Sequence, residues 1–504
     1  MNIIVIGSGF GGLAAALRLQ TNGHNVTLLE KRDRPGGRAY VYQKAGFTFD
    51  GGPTVITAPW LIEELFTNAG RDPKEYVEMM PVDPFYQICF EDGSTFRYND
   101  NRESMIREIS KFNPDDVEGY LKFLRKAEDV FKTGFDLIDV PFTTLGSMLK
   151  VLPDLIRLRA DRSVYDVVKG YIKDERLRRV FSFHPLLVGG NPFQTTSIYA
   201  LILYLEREWG VWFARGGTGA VVEGLLRLFK ELGGEVHLNT EVNEILVDEG
   251  SRRTTGVQLK NGNSISADAV VCNGDVSFAY RYLLPERFRR KYTNRRIDRM
   301  KYSMSLYVLY FGTDRTYEEI EHHTIILGKE YQVLLNDIFN KHHLSDDFSL
   351  YLHRPTKTDP ALAPDGCDAF YVLSPVPHLD SGDNWTQVAP RYRDMIVQYL
   401  EKHYMPNLRE HIVVEHHIDP LHFRDTLNSY KGSAFSVAPT LTQSAWFRPH
   451  NRSEEIENLY FVGAGTHPGA GMPGVISSAK IVADIIGEES IQKAKFKKKS
   501  EESD

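Results

Sequence analysis

The chain opens with NIIVIGSGFGGLAAA, residues 2–16, and this stretch predicts the fold class. It reads as a short apolar strand, a glycine turn and an alanine-rich helix, in which Gly7, Gly9 and Gly12 fit the pattern GxGxxG. The first glycine permits the tight turn, the second lets a pyrophosphate approach the backbone, and the third allows close helix–strand packing. The start of the helix adds free N–H groups and a partial positive charge. The pattern therefore predicts a dinucleotide site.

A second predicted strand, residues 25–29, follows and ends at Glu30. A carboxylate at this place can accept both ribose hydroxyls of an adenosine, whereas it would repel a 2′-phosphate. A simple glycine turn is the alternative for an isolated GxGxxG, but here the strand, glycines, helix, second strand and acid occur in order. These residues leave open whether the dinucleotide is NAD or FAD.

The next segments, KRDRPGGR (31–38) and FDGGPT (49–54), favour FAD. Two glycines beside Arg38 suit a backbone that passes close to a diphosphate, and the guanidinium adds charge-assisted contacts. A surface turn with a solvated basic cluster is the alternative for this segment alone. Together with the first motif it resembles the flavin-dependent amine oxidase superfamily, so we predict that Lys31, Gly37, Arg38 and Thr54 contact FAD.

Two later segments are also rich in glycine. RGGTG (215–219) precedes a predicted helix over residues 220–229, and the run 235–242 reads as a strand. A hairpin-like run then passes through Asn261-Gly262. Near the C-terminus, NLYFVGAGTHPGAGMPG (458–474) reads as a strand that enters a glycine loop and then a helix. This loop predicts that Gly463, Met472 and Gly474 lie against the pyrimidine end of a flavin.

The sequence thus predicts an α/β protein with a Rossmann-like FAD-binding domain that is built from discontinuous segments. That domain is expected to comprise residues 1–79, 211–294 and 451–490. Residues 80–210 and 295–450 are expected to form an inserted α+β substrate domain with a helical membrane-facing region. Residues 491–504 read as a basic, disordered tail.

Composition excludes several classes of protein. The 504 residues are 42% hydrophobic and 25% charged, an ordinary globular mixture, and the net charge of −7 provides no basic field for nucleic acid. The three cysteines belong to no CxxC pair, so they indicate a reducing compartment and no zinc or iron–sulfur site. No stretch reaches the roughly 18–20 apolar residues that span a bilayer. Because residues 3–6 read as a buried strand rather than a signal peptide, we expect a cytoplasmic protein.

The inserted regions contain aromatic and apolar runs, such as residues 181–190 and 198–205. Core packing and a long apolar substrate tunnel both explain them. The pairs His322-His323, His342-His343 and His416-His417 lack a metal-binding pattern, so we expect exposed histidines and no metal. Glu206, Glu208 and Asp425 are candidate proton acceptors, although each also suits a surface ion pair, and no catalytic residue is assigned.

Longer blocks resemble the bacterial-type phytoene desaturase family over nearly the whole chain. These blocks are FGGL (10–13), RPGGRAY (34–40), LVGGNPF (187–193), WGVWFARGG (209–217), YKGSAFS (430–436), QSAWFRPH (443–450) and GAGTHPGAG (463–471). The resemblance implies that the residue matching Val242 contacts adenine through its backbone. It also implies an FAD-dependent, membrane-associated enzyme that converts 15-cis-phytoene stepwise to lycopene through phytofluene, ζ-carotene and neurosporene. Electrons would pass from the flavin to a quinone or oxygen.

Three alternatives remain at this point. A related desaturase performs fewer steps or acts on dehydrosqualene, an amine oxidase uses the same fold, and a flavin-free escort protein binds prenyl groups. Residues 145–159 mix apolar and basic side chains, which suits a helix at the inner face of the cell membrane, although Pro153 is expected to interrupt it. An ordinary amphipathic surface helix explains the same residues. Lysines 493–499 in the tail would attract anionic lipid.

Overall fold

A computed structural model describes residues 1–138 and 145–501 of the chain. Within these residues it contains nineteen strands and sixteen helices, joined by short 3₁₀ turns and loops. The strands are β1 (Asn2–Ile6), β2 (Asn25–Leu29), β3 (Val41–Lys44), β4 (Phe47–Asp50), β5 (Met79–Pro81), β6 (Tyr86–Cys89), β7 (Thr95–Tyr98), β8 (Trp212–Ala214), β9 (Glu235–His237), β10 (Val242–Asp248), β11 (Arg253–Leu259), β12 (Ser264–Ser266), β13 (Ala269–Cys272), β14 (Ser305–Thr313), β15 (His323–Ile326), β16 (Leu350–His353), β17 (Asp368–Val376), β18 (Ile412–Ile418) and β19 (Leu459–Phe461). The helices are α1 (Phe10–Thr21), α2 (Pro59–Thr67), α3 (Arg102–Phe112), α4 (Asp116–Ile138), α5 (Leu145–Arg157), α6 (Val164–Lys169), α7 (Glu175–Ser182), α8 (Leu201–Trp209), α9 (Thr218–Glu231), α10 (Val276–Phe278), α11 (Asn294–Arg299), α12 (Tyr331–Asn336), α13 (Trp385–His403), α14 (Leu408–His411), α15 (Pro420–Asp425) and α16 (Met472–Glu501).

A parallel sheet of five strands, in the order β19-β13-β1-β2-β9, forms the first half of the molecule. Its strands come from the beginning, the middle and the end of the chain, and Val5 of β1 pairs with Leu28 on one side and Val271 on the other. Parallel sheets are covered on both faces, which explains why β1, β13 and β19 are mainly apolar runs. Helix α1 is buried from Phe10 to Leu19 and packs against α9 and α16.

A second, mixed sheet of seven strands, in the order β18-β14-β17-β16-β15-β6-β7, forms the other half. All nine residues of β14 are buried, so this sheet too is covered on both faces. Strand β15 lies inside the sheet, parallel to β6 and antiparallel to β16. The mixed α/β architecture predicted from the sequence is confirmed, whereas the predicted domain boundaries remain predictions.

The run 235–242 is not the single strand that its sequence indicates. Strand β9 ends at His237 and joins the parallel sheet, and Val242 begins β10 in a separate antiparallel sheet with β11 and β12. Between them Asn239 takes a left-handed conformation with φ of 52°, which ends the extended chain. The predicted hairpin at Asn261-Gly262 joins β11 to β12, with Gly262 at φ of 90°.

Two helices extend further than predicted. Helix α5 continues through Pro153, whose missing N–H removes only one bond of the helical ladder. Helix α16 continues to Glu501, where the sequence predicts a disordered tail from residue 491. Lysine, alanine and glutamate are good helix formers, which accounts for this continuation. Residues 502–504 of that tail, and the side chains of residues 490–501, lie outside the described residues. No described helix is long and apolar enough to cross a bilayer.

The packing of Gly12 gives a test of the fold. A Cβ added to Gly12 would lie 1.9 Å from the Gly7 carbonyl oxygen, so Gly12→Ala is expected to lower the free energy of unfolding by about 1–3 kcal/mol. In the matched control, Gly487→Ala in α16, the Cβ would meet no atom of the described residues within 4 Å outside the neighbouring turns of its own helix, and we expect a gain of about 0.5–1 kcal/mol. Urea unfolding of the cofactor-free variants measures both, and a Gly12→Ala protein as stable as the wild type would contradict this packing.

Candidate functional site

A large cavity of about 580 Å³ extends from the carboxyl ends of the parallel strands to the seven-stranded sheet. Its volume falls within the roughly 300–1,000 Å³ of ligand pockets. Of the twelve residues predicted to bind a cofactor, Gly12 does not line the cavity and packs beneath Gly7 instead. The structure brings the other eleven together on the cavity wall: Gly7, Gly9, Glu30, Lys31, Gly37, Arg38, Thr54, Val242, Gly463, Met472 and Gly474.

Three separate segments meet at Asn273, which directly follows β13. Its side-chain oxygen lies 2.6 Å from the position of a Cβ on Gly11 and 2.8 Å from that of a Cβ on Gly463. The Asn273 amide also donates to the Gly7 carbonyl over 3.3 Å. Side chains at these glycines would separate the strand ends. The sequence analysis missed Asn273, because its role depends on strand pairing across more than 260 residues.

Glu30 lies at the end of β2 and is held by backbone groups. One carboxylate oxygen accepts the Ser8 N–H at 2.9 Å and the Ser8 hydroxyl at 2.6 Å, and the other accepts the Arg32 N–H at 2.9 Å. The carboxylate is therefore fixed beside the start of α1, whose N-cap residue Gly9 provides no side chain to cap the first N–H groups. A ligand hydroxyl beside Glu30 would find an oriented acceptor.

Arg38 presents a guanidinium to the cavity. It donates to the Ser429 hydroxyl at 2.8 Å, while its buried Nε has no hydrogen-bond partner among the described residues. Asp275 is the acid that acts on Arg38, but within the described residues the two form no salt bridge, and burial lowers the pKa of Arg38. A desolvated cation whose acidic neighbour forms no salt bridge with it is costly. The arrangement therefore suits an anionic ligand such as a diphosphate, and together with the glycine cradle and Glu30 it fits a dinucleotide.

The C-terminal glycine loop is held by Arg448, which the sequence analysis did not single out. This buried guanidinium donates to backbone carbonyls on both sides of it: Val437 (2.9 Å), Gln443 (3.3 Å), Ala464 (2.6 Å) and Thr466 (3.0 Å). Four carbonyl contacts fix the loop against residues 437–443. The loop then leads into α16, which carries Met472 and Gly474 at its start.

Thr54 belongs to a hydroxyl cluster on the wall formed by the seven-stranded sheet. Its hydroxyl lies 2.6 Å from the Tyr371 hydroxyl and 3.2 Å from the Tyr351 hydroxyl. Both tyrosines line the cavity, and burial raises the pKa of each phenol. Neutral hydroxyl groups therefore face the cavity here.

The remainder of the wall is mainly apolar and comes largely from the inserted regions. The apolar runs 181–190 and 198–205, for which the sequence allowed either a core or a tunnel, contribute to both the core and the cavity wall. Phe181 and Leu203 are in the core, whereas other members of the same runs line the cavity: Phe183, Leu186, Leu187, Val188, Ile198, Tyr199, Leu201, Ile202 and Leu205.

Charge is confined to one end of the cavity. Among the described lining residues, the Asp, Glu, Lys and Arg side chains are Glu30, Lys31, Arg32, Arg38, Glu241 and Asp275. Glu30, Lys31 and Arg32 are consecutive and Glu241 interacts with Lys31, while Asp275 acts on Arg38. All six therefore lie around the end of the cavity that the glycine segments form, which is its dinucleotide-shaped end. The opposite, apolar end has no Asp, Glu, Lys or Arg side chain among the described lining residues.

The three acids considered as proton acceptors lie outside the described cavity wall. Glu208 and Asp425 are exposed. Glu206 is fully buried rather than on the surface, where it accepts the Tyr86 hydroxyl at 2.7 Å and lies 3.1 Å from His184 Nε2. These contacts indicate a structural role in the core.

The prediction of exposed histidines is wrong for His322 and His323, which are at most 3% exposed. His323 belongs to β15, which lies inside a sheet that is covered on both faces, and His322 directly precedes that strand. A single sequence does not reveal this burial. His323 and its neighbour His322 lie beside His353 of β16, and one ring nitrogen of each lies within 4.8 Å of the others.

Comparison with known proteins agrees with this geometry. A family model described as flavin-containing amine oxidoreductase matches residues 10–487. A lycopene-forming phytoene desaturase of Pantoea ananas is 54% identical over 489 residues, covering 97% of this chain and 99% of that protein. The chain belongs to the flavin-containing amine oxidoreductase family, in its bacterial-type phytoene desaturase branch.

Two further comparisons show how widely the fold extends. A neurosporene-forming phytoene desaturase of Rhodobacter capsulatus is 44% identical over 489 residues, covering 96% of this chain and 93% of its own. The solved structure of cyclohexylamine oxidase from Brevibacterium oxydans shares only 17% identity but matches with a TM-score of 0.63 over 97% of this chain and 99% of its own. That likeness shows the common fold alone.

Proposed function

We propose that this chain is an FAD-dependent phytoene desaturase that converts 15-cis-phytoene stepwise to lycopene. The distribution of charge in the cavity carries the proposal. One end provides glycines, an acid and a guanidinium whose Nε has no partner among the described residues, which suits a dinucleotide, and the other is an apolar space suited to a hydrocarbon. The identity to lycopene-forming relatives supports lycopene as the product, and a quinone or oxygen is the proposed electron acceptor.

The proposed FAD contacts follow from the positions of the lining residues. Glu30 accepts ribose hydroxyls, Arg38 balances the diphosphate, and the backbone at Val242 lies where the adenine would be. Gly463, Met472 and Gly474 face the flavin end. When bound, FAD supplies the acceptor for a hydride.

The residues of the chain contribute orientation and a dry environment. Phytoene has no group that ionises or forms hydrogen bonds, so only shape and apolar contact align it. Leu187, Ile202 and Leu306 belong to the wall that excludes water from the bond to be desaturated. Loss of a hydride from the CH2–CH2 unit leaves an allylic cation, and loss of the neighbouring proton completes the double bond. Exclusion of water prevents hydration of that cation.

The product of a defined incubation tests the function. The purified protein is mixed with FAD, phytoene-loaded liposomes and a quinone, and the extracted pigments are separated and identified by their visible spectra. We expect lycopene, with its long conjugated chromophore. A shorter polyene would show a desaturase that performs fewer steps, peroxide released from simple amines would show an amine oxidase, and an absence of FAD binding would favour an escort protein.

Arg38 provides the test of the cofactor site. Arg38→Ala is expected to weaken FAD binding by about tenfold or more, because a charge-assisted contact contributes about 1.5–3 kcal/mol. The matched control is Arg34→Ala in the same loop, which is exposed and whose guanidinium donates to Gln43 at 3.4 Å. Quenching of FAD fluorescence on titration measures both affinities. Equal losses in the two variants would contradict the assigned role of Arg38.

We also propose that an apolar patch beside the cavity docks on the lipid bilayer in which phytoene dissolves. Leu152, Ile156, Leu441 and Phe447 are large apolar side chains that are between 41% and 66% exposed. Helix α5, which carries the first two, contacts the turn that contains Phe447. Leu441 both lines the cavity and is exposed, so the cavity reaches the surface at this patch.

Liposome flotation tests this docking. The double variant Ile156→Glu, Phe447→Glu places two charges in the patch and is expected to reduce the fraction bound to phytoene-free vesicles by about tenfold, since a charge in the interface opposes insertion. Val413→Glu is the control, because Val413 is 53% exposed in β18 and does not belong to the patch. Undiminished binding of the double variant would refute the docking surface.

A further inference from the structure

The proposed function leaves three buried histidines without a role. His323 and His353 are paired in the seven-stranded sheet, and His322 directly precedes β15, close behind the cavity wall. Each has one ring nitrogen within 4.8 Å of the other two. Buried polar groups normally have hydrogen-bond partners, yet His323 Nε2 and His353 Nδ1 have none among the described residues. The two unpartnered nitrogens of this buried cluster therefore indicate a role beyond packing.

On one side the cluster is connected to the cavity. The Tyr351 hydroxyl lies 2.7 Å from His323 Nδ1 and 3.2 Å from the Thr54 hydroxyl. Tyr351 and Thr54 both line the cavity. A continuous set of hydrogen bonds therefore leads from the cavity wall to the first imidazole.

On the other side the cluster is connected to the surface. His353 Nε2 lies 3.1 Å from His322 Nε2, and His322 Nδ1 lies 2.5 Å from the Thr358 hydroxyl. Thr358 is partly exposed. One gap remains, between His323 and His353, whose rings are nearly parallel with centroids 5.3 Å apart.

The chemistry of these groups is that of a relay. A neutral imidazole has one N–H and one free lone pair, so it can take up a proton at one nitrogen and release another from the second. Burial lowers the pKa of His322 to about 3 and the pKa values of His323 and His353 well below the ordinary value. The three rings are thus neutral at rest and pass a proton on instead of retaining it.

We propose that these hydroxyl and imidazole groups conduct the proton of each desaturation from the cavity to the solvent. In order from the cavity, the path consists of Thr54, Tyr351, His323, His353, His322 and Thr358. The inference rests on the proposed desaturase function. The need for a path arises because the apolar end of the cavity has no ionised group among its described lining residues.

Each desaturation removes one hydride and one proton from the hydrocarbon. The two electrons of one C–H bond leave as a hydride to the oxidised flavin, which is reduced by two electrons while the hydrocarbon is oxidised. The neighbouring C–H bond of the resulting cation breaks, its electron pair forms the double bond, and its proton passes to the Thr54 oxygen, while the Thr54 hydroxyl proton moves to the Tyr351 oxygen. The original hydroxyl proton of Tyr351 moves to His323 Nδ1. His323 then releases its Nε2 proton across the gap to His353 Nδ1, these being the two ring nitrogens without a partner among the described residues. His353 passes its Nε2 proton to His322 Nε2, and His322 passes its Nδ1 proton to the Thr358 hydroxyl, so one proton leaves per double bond.

Two conservative variants interrupt the path at opposite ends. Tyr351→Phe removes the hydroxyl that links Thr54 to His323, and Thr358→Val removes the outer link at a partly exposed site, where folding is expected to persist. The matched control is Tyr371→Phe, which removes another hydroxyl bonded to Thr54 on the same wall but, within the described chain, not bonded to His323.

The experiment compares single-turnover rates of polyene formation with FAD and phytoene-loaded liposomes. We expect each path variant to be slower by about tenfold or more, and the double variant to be no slower than Tyr351→Phe alone, because both block one route. In Thr358→Val the slowing is expected to grow in D2O, since transfer of exchangeable hydrogens becomes rate-limiting. FAD affinity and melting temperature, measured without substrate, should match the wild type.

Four results would overturn the path. The first is a Tyr371→Phe protein as slow as Tyr351→Phe. The second is a double variant whose rate falls by the product of the two single-variant factors. The third is unchanged rates in both path variants, and the fourth is one equivalent of a transition metal in the purified protein, because the metal would occupy the ring nitrogens. Wild-type protein that forms no polyene would refute the proposed function itself, whereas active wild type with unaffected variants refutes the path alone.

Discussion

Close approach of bare backbone from three distant parts of the chain is the constraint on which this structure depends. Gly11, Asn273 and Gly463 meet where β1, β13 and β19 end, and at Gly11 and Gly463 a Cβ would lie less than 3 Å from the Asn273 side chain. Glycine at Gly11 and Gly463 lets these segments approach Asn273 without a clash. The same closeness leaves N–H groups and a narrow cradle facing the cavity. A requirement of packing and a requirement of cofactor binding are thus met by the same residues.

The seven-stranded sheet and the inserted helices extend this cradle into a space of opposite character. Charged side chains surround the dinucleotide-shaped end, while hydroxyl and apolar groups face the rest of the cavity. Such a division suits a reaction in which the cofactor performs the chemistry and the protein provides alignment without water. Buried polar clusters lie behind the apolar wall, and they separate into two kinds. Glu206 with Tyr86 and His184 is satisfied within the core, whereas the cluster of His322, His323 and His353 is connected to the cavity through Tyr351.

Local patterns account for what the sequence predicted correctly. Some patterns determine the local geometry within a few residues, such as glycines at fixed spacing, an acid at a strand end and an Asn-Gly turn. For this reason β1, α1, β2 and the hairpin at Gly262 could be predicted from the sequence. The roles of Asn239, Arg448 and the buried histidines could not be predicted in this way. The left-handed conformation of Asn239, the carbonyl contacts of Arg448 and the burial of the histidines all depend on partners far along the chain. Apolar runs in the insertions were ambiguous for the same reason, since residues of one run are divided between the core and the cavity wall.

The central claim is that one cavity holds a flavin and a hydrocarbon so that electrons pass directly between them. Anaerobic mixing of the FAD-loaded protein with phytoene-loaded liposomes, without any other acceptor, tests it most directly when flavin absorbance and polyene absorbance are recorded together. The account predicts that the flavin bleaches as the polyene appears, with one new double bond per flavin reduced. Polyene formation without bleaching, or FAD that stays oxidised while phytoene is bound, would contradict it.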